Sequence, residues 1–301
     1  MRPSYLELVD SGELTERAKA LSRLQSPCRL CPQECGAERA AGETGFCGCG
    51  QTALVAGVAP HFGEEAPLVG VGGSGTIFLA GCNMGCVYCQ NHEISHGRQG
   101  RPTSPAGLAR SMLWLQDSGC QNINFVTPTH FAPQIVEALA LAAADGLRLP
   151  VVWNCGGYES LEALALLAGI VDIYMPDVKY SDATAARELS GAAGYPQHNM
   201  AAVRVMHEQV GDLRTDERGV AVRGLLVRHL VLPGGKAGSD RVMEFLGRLS
   251  TDTYVNIMDQ YRPCYRAGSH PPLDRPITKR EFSAALDCAS QNGLTRIAKV
   301  R

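Results

Sequence analysis

A chain of 301 residues with 45% hydrophobic content has enough apolar material for one large α/β domain, or for a domain with a small module attached. Its formal net charge of −2, with no block of like charges, leaves neither a basic footprint for nucleic acid nor a cationic patch for an anionic membrane. No apolar run reaches the roughly 18 residues of a membrane span, and the start of the chain carries Glu7, Asp10, Glu13 and Glu16 where a signal peptide is basic, so a cytoplasmic protein is expected.

In chain order, residues 1–26 read as an amphipathic helix, with Leu6, Leu8, Val9, Leu14, Ala18, Leu21 and Leu24 near helical spacing. Residues 27–72 are rich in cysteine and glycine and have no long periodic run. They read as a small loop-built module that needs a metal to hold it. Within them, 53–71 reads as a bridging strand or hairpin. His61, Glu64 and Glu65 sit there with reach to a barrel mouth, or as ordinary loop residues. The run Gly70–Gly75 precedes a strand rather than opening a helix, so it fails the context test for a phosphate loop.

From Gly73 onward, apolar β-rich runs alternate with helical ones. Strands are expected at Thr76–Ala80, Ile123–Thr127, Val151–Asn154, Val171–Met175, Leu225–Leu232 and Tyr254–Met258. Helices are expected from Ser104 to about Gly119, near 133–146, 161–168, 196–210, 239–249 and 278–291. The stretch 211–224 reads as a turn or short hairpin. Six βα units predict an open, partial (β/α)6 TIM-like barrel over 73–301, with the cysteine-rich metal module in 1–72.

Twelve cysteines are many for this chain. In a reducing compartment, clustered cysteines point to metal or catalysis and scattered ones to small core side chains. Cys120, Cys155, Cys264 and Cys288 are scattered. Cys28, Cys31, Cys35 and Cys47 follow the pattern C-x2-C-x3-C-x11-C, with Cys49 spare. Four thiolates suit one closed zinc site or four irons of a cluster, and spacing does not separate the two.

The second group follows the first expected barrel strand: Cys82-x3-Cys86-x2-Cys89, with Tyr88 before the last cysteine. Three thiolates on one loop bind three irons of a cubane and leave the fourth iron open to a substrate. Zinc with His92 or His96 as fourth ligand is the weaker alternative. The loop lies at the C-terminal end of a barrel strand, where barrel active sites are built.

The string from Gly81 to His96, with its C-x3-C-x2-C spacing, Cys-Gln-Asn at 89–91 and Ile94-Ser95-His96, resembles the radical S-adenosylmethionine (SAM) superfamily. Within it, the chain looks like the uncharacterised group related to pyruvate formate-lyase activating enzyme. The resemblance implies a radical SAM oxidoreductase with a [4Fe–4S] cluster on Cys82, Cys86 and Cys89, and with SAM chelating the open iron. It further implies SAM contacts at later strand ends: Asn154 in Asn-Cys-Gly-Gly, Asp177 and Lys179 in an Asp-x-Lys element, and Arg228 and His229 in the run Arg228-His229-Leu230-Val231-Leu232-Pro233-Gly234, which is similar to the family's Arg-x-Val-x-x-Pro-Gly strand. Met258, Asp259, Gln260 and Tyr261 would face adenine or substrate. Strand two ends in Thr127-Pro128-Thr129-His130, where many relatives carry Gly-Gly-Glu-Pro, so the chain departs from the pattern there. His130 reads rather as a core or loop histidine.

The implied substrate is either the backbone glycine of a glycyl radical enzyme or a small molecule or peptide. The implied electron donor is flavodoxin or ferredoxin. The rival from another class is a non-catalytic zinc-binding scaffold protein.

Overall fold

The computed structural model describes residues 2–298. Where one N-terminal helix is expected there are two, α1 (Tyr5–Asp10) and α2 (Glu13–Arg23). Gly12 between them takes φ +77°, a left-handed conformation that ends one helix and lets the next start in a new direction. Leu14, Ala18 and Leu21 form the buried stripe of α2.

Between α2 and Ala53 the described chain makes one three-residue 3-10 turn, Arg39–Ala41, and irregular loops. Cys28, Leu30, Ala37, Cys47 and Cys49 share one continuous apolar core with Ile77, Phe125 and Trp153. Arg39 is buried among them. Its guanidinium donates to the Gly50 and His130 carbonyls at 2.5–3.1 Å, which replaces the hydration it loses.

The expected bridging strand is β1 (Ala53–His61), a nine-residue member of the main sheet. It runs antiparallel to β2 (Ser74–Leu79), and α3 (Ala66–Val69) lies between them. Beyond the cysteine loop come α4 (His92–Ser95) and β3 (Arg101–Thr103), which pairs with the outer edge of β1. The rest follows the expected alternation: α5 (Pro105–Asp117), β4 (Ile123–Val126), α6 (Ala132–Ala144), β5 (Val151–Cys155), α7 (Leu161–Leu167) and β6 (Ile173–Pro176). Then come α8 (Ala183–Ser190), α9 (Tyr195–Val210), β7 (Arg214–Thr215), β8 (Ala221–Leu230), α10 (Ser239–Leu249), β9 (Tyr254–Met258) and α11 (Lys279–Gln291). As read from the sequence, Ser104 caps α5, accepting from Gly107 N with Pro105 in the first turn. The hairpin before β8 is the β7–β8 pair. Helix α8 is an element that the sequence reading left out.

Strands β2, β4, β5, β6, β8 and β9 are parallel neighbours in that order. They form the six-stranded parallel part of an open, nine-stranded α/β sheet, consistent with a partial barrel. Their C-terminal ends gather on one side. On the side of the strand starts, α3 places Leu68 against Val152, Ile173, Met175 and Leu226. That apolar plug fills the sheet's concave interior from below. Among the described residues, no helix is long and apolar enough to cross a membrane.

Candidate active site

The cysteine loop leaves β2 through Gly81, whose φ is +82°. A Cβ there would lie 2.3 Å from Cys49 Sγ and 2.9 Å from the Cys47 carbonyl, so only glycine lets the loop pass over the N-terminal cysteines. The loop is then fastened to the C-terminal end of α8. Gly85 N donates to the Ser190 carbonyl at 2.7 Å and Val87 N to the Leu189 carbonyl at 2.9 Å. The last carbonyls of a helix lack partners within it, and here the loop supplies them. From the other side, Gln33 Nε2 donates to the carbonyls of Asn83 and Gly191, both at 3.0 Å.

Each loop sulfur has a polar neighbour. Met84 N donates to Cys82 Sγ at 3.4 Å, Ser190 Oγ to Cys86 Sγ at 2.9 Å, and Ser95 Oγ stands 3.1 Å from Cys89 Sγ. All three cysteines line a cavity of about 430 Å³ inside the strand C-terminal ends. Burial, followed by the nearby Cys86, pushes the Cys82 thiol above its ordinary range. Burial likewise raises Cys86, against the pull of Lys179. Burial thus favours the neutral thiols, and only a bound positive centre would make thiolates stable here. Among the described residues, no three His, Cys, Asp or Glu side chains converge closely enough to hold a single metal ion. Three thiols on the rim of one cavity match the three protein ligands of a cubane whose fourth iron is left open.

The same cavity is lined by Asn154, Asp177, Lys179 and Arg228, which the sequence brings here from the ends of three strands. Lys179 Nζ donates to Asp177 Oδ2 at 2.5 Å. Burial alone would neutralise this ammonium; Asp177 and then Cys86 outweigh it and hold the amine protonated well above its usual range. Thr127 also lines the cavity, and its φ of +59° is a conformation β-branched residues rarely adopt.

Two residues that the sequence reading left open become central here. Glu64 and Glu65, after β1, are buried on the cavity floor and share Arg228. Arg228 Nε and Nη2 donate to the two oxygens of Glu65 at 2.6 Å each, and Nη2 also contacts Glu64. Asn256 Nδ2 adds a bond to Glu65 at 2.7 Å. Burial opposes the charge on Glu65, but Arg228 prevails and holds the carboxyl below its ordinary range. Glu64 Oε1 lies 3.7 Å from His61 Nδ1. A signal was present in the sequence: an arginine within a buried apolar strand requires carboxylates.

His229 is a correction. Strand periodicity sends it to the opposite face from Arg228. It is fully buried against α10, with Nδ1 2.7 Å from the Val178 carbonyl and Nε2 2.8 Å from Ser239 Oγ, and it does not line the cavity. Burial lowers its pKa to about 4. At the end of β9, Met258 and Gln260 line the cavity; Asp259 is exposed, and Tyr261 is buried elsewhere, with its hydroxyl donating to Leu273 O at 2.6 Å. His130 is a buried core histidine bonded to the Ala80 carbonyl, and Thr129 donates to the buried Glu159.

The N-terminal cysteines have a different setting. Cys28, Cys31, Cys47 and Cys49 are buried and Cys35 is exposed. Cys31 is raised by burial and by the nearby Cys28 and Cys47, and Cys28 by burial and the nearby Cys35, so the set lies together. An open groove of about 640 Å³ between α9 and α10 is larger than the cavity at the strand ends, but it holds none of these residues.

Residues 76–217 match the sequence profile of the Radical SAM superfamily. An uncharacterized protein of Methanocaldococcus jannaschii is 29% identical over 302 residues, spanning 97% of this chain and 82% of that protein. A solved structure of TYW1 with a lysine–pyruvate adduct bound superposes with a TM-score of 0.41 and 9% identity, covering 72% of this chain and 73% of that one.

Proposed function

We propose that this chain is a radical SAM enzyme, as the match of residues 76–217 to that superfamily's profile suggests, and that Cys82, Cys86 and Cys89 hold its [4Fe–4S] cluster, which when bound would supply the electron for reductive cleavage of SAM and so the radical that takes hydrogen from a substrate C–H bond. The observation that carries this reading is the shared cavity, lined both by the three thiols and by Asn154, Asp177, Lys179 and Arg228. Asp177 fixes the Lys179 ammonium where a carboxylate or ribose oxygen of SAM meets it. Asn154 presents its amide beside Arg228, whose Nη1 lies 3.5 Å from Asn154 Oδ1. His229 buttresses β8 against α10 and has no part in binding.

The finer assignments are part of the same proposal. Cys28, Cys31, Cys35 and Cys47 hold a second metal centre, zinc or iron–sulfur, supported by their spacing and their mutual proximity. A flavodoxin or ferredoxin is the electron donor. Of the two substrate classes, activation of a glycyl radical enzyme and modification of a small molecule or peptide, the charged floor of Glu64, Glu65 and Arg228 supports a polar small molecule.

Electron paramagnetic resonance of the anaerobically reconstituted, reduced protein tests the reading. Added SAM should change the cluster signal as it occupies the open iron. An iron-loaded protein whose signal is indifferent to SAM contradicts the assignment.

A further inference from the structure

Behind Cys86, away from the cavity, lies a chain of three buried hydroxyls. Ser190 Oγ donates to Cys86 Sγ at 2.9 Å. Tyr180 Oη stands 2.6 Å from Ser190 Oγ, and Tyr88 Oη stands 2.6 Å from Tyr180 Oη. Ser190 and Tyr180 are fully buried, and Tyr88 is 5% exposed.

Counting protons sets the direction of the chain. Each hydroxyl has one proton to give. A thiolate bound to iron has none, so at Cys86 the sulfur only accepts. Ser190 spends its proton there and must accept from Tyr180. Tyr180 has then given its own proton and must accept from Tyr88. All three O–H dipoles therefore point toward one sulfur, and each bond polarises the next among buried groups.

The fold holds this chain rigidly. Ser190 is the last residue of α8, and Gly191 closes the helix with φ +61°. The Ser190 carbonyl accepts from Gly85 N, so backbone and side chain of one residue grip the cysteine loop at two points. Tyr88 belongs to the loop itself, one residue before Cys89. The edge-to-face packing of Tyr88 on Tyr180, and of Tyr180 on Tyr195, fixes the rings.

We propose that Ser190, backed by Tyr180 and Tyr88, is a positioning residue that sets the reduction potential of the cluster. This rests on the reading that Cys82, Cys86 and Cys89 hold a [4Fe–4S] cluster. Hydrogen bonds to cluster sulfurs are one of the protein's levers on potential. A donor draws charge from the thiolate, favours the reduced, more negative cluster, and moves the potential upward.

The test is a potentiometric titration followed by paramagnetic resonance, on reconstituted full-length protein. Ser190→Ala should carry full iron, titrate at a more negative potential than the wild type, and show altered g-values. Ser190→Thr, which keeps the hydroxyl, should return the midpoint toward the wild-type value. Tyr180→Phe leaves the Ser190 donor in place but removes its polarising partner, so it should shift the midpoint in the same direction by less. Unmoved or more positive midpoints in Ser190→Ala and Tyr180→Phe overturn the proposal. If Ser190→Ala fails to load iron, the Tyr180→Phe titration decides alone, and an unmoved midpoint there overturns it. A wild-type protein with no reducible [4Fe–4S] signal sinks the cluster reading and the proposal with it; a normal wild-type signal beside unmoved variants sinks only the role of Ser190.

Discussion

The two cysteine groups use the same residue and similar short spacings, yet the chain treats them differently. Cys82, Cys86 and Cys89 face a cavity, and polar donors reach their sulfurs from the loop itself and from α8. Cys28, Cys31, Cys47 and Cys49 are built into the apolar core or its margin, and only Cys35 reaches solvent. Spacing alone suggests a metal in both places, and the setting is what distinguishes the proposed open site from the proposed closed one: chemistry needs room for a substrate beside the metal, and stability does not. The two groups meet at Gly81, where the loop passes over Cys49.

The sharpest way to break this contrast is to remove one ligand from each side. Cys86→Ala should lower 5′-deoxyadenosine formation by more than roughly 100-fold, the upper end of what losing a mere outer-shell partner costs. Cys31→Ala should instead show first as a lowered melting temperature and lost metal from the second centre. Equal losses of SAM cleavage with no change in melting would erase the distinction.

The cavity floor offers a second test. Arg228→Met leaves Glu64 and Glu65 buried without their cation, and should cost about 3–5 kcal/mol in a urea titration. A cost near zero would mean that the pair is hydrated and the floor open.

The third test concerns the other face of β8. His229 is held neutral, with its folded pKa lowered by burial to about 4 from 6.5. Above pH 6.5 neither state takes up a proton there. As pH falls from about 6.5 to about 4, the unfolded chain binds one that the folded chain refuses, so about 3 kcal/mol of stability is lost in that window. The buried His130 is lowered in the same direction and adds to the slope. His229→Gln should reduce the pH dependence of urea unfolding between pH 7 and pH 4 without abolishing it. An unchanged slope would place His229 in contact with water.

Much of the barrel was legible because its parallel strands are buried on both faces and read as apolar runs; Tyr254–Met258 matches to the residue. Strand β1 was harder, since Gly57 and Pro60 interrupt its pattern. Helix α8 was missed although its stop and start signals were present, with Asp182 capping Ala185 N and Gly191 ending the last turn. At eight residues it was too short for periodicity to show. The cysteines and the strand-end residues could be found by spacing and position. Glu65 and Ser190 could not: their partners Arg228 and Cys86 lie 163 and 104 residues away in sequence, and only the folded chain brings them together. Both Arg228 and His229 were expected at the cavity, and only Arg228 lines it, because period-two alternation does not let adjacent strand residues share a face.

The most direct test of the central claim is the formation of 5′-deoxyadenosine from SAM by the anaerobically reconstituted protein with a strong reductant, beside a Cys82→Ala control. Radical chemistry at the loop predicts product from the wild type and none above background from the variant. Equal product from both, or a wild type that binds zinc and no iron at Cys82, Cys86 and Cys89, would contradict it.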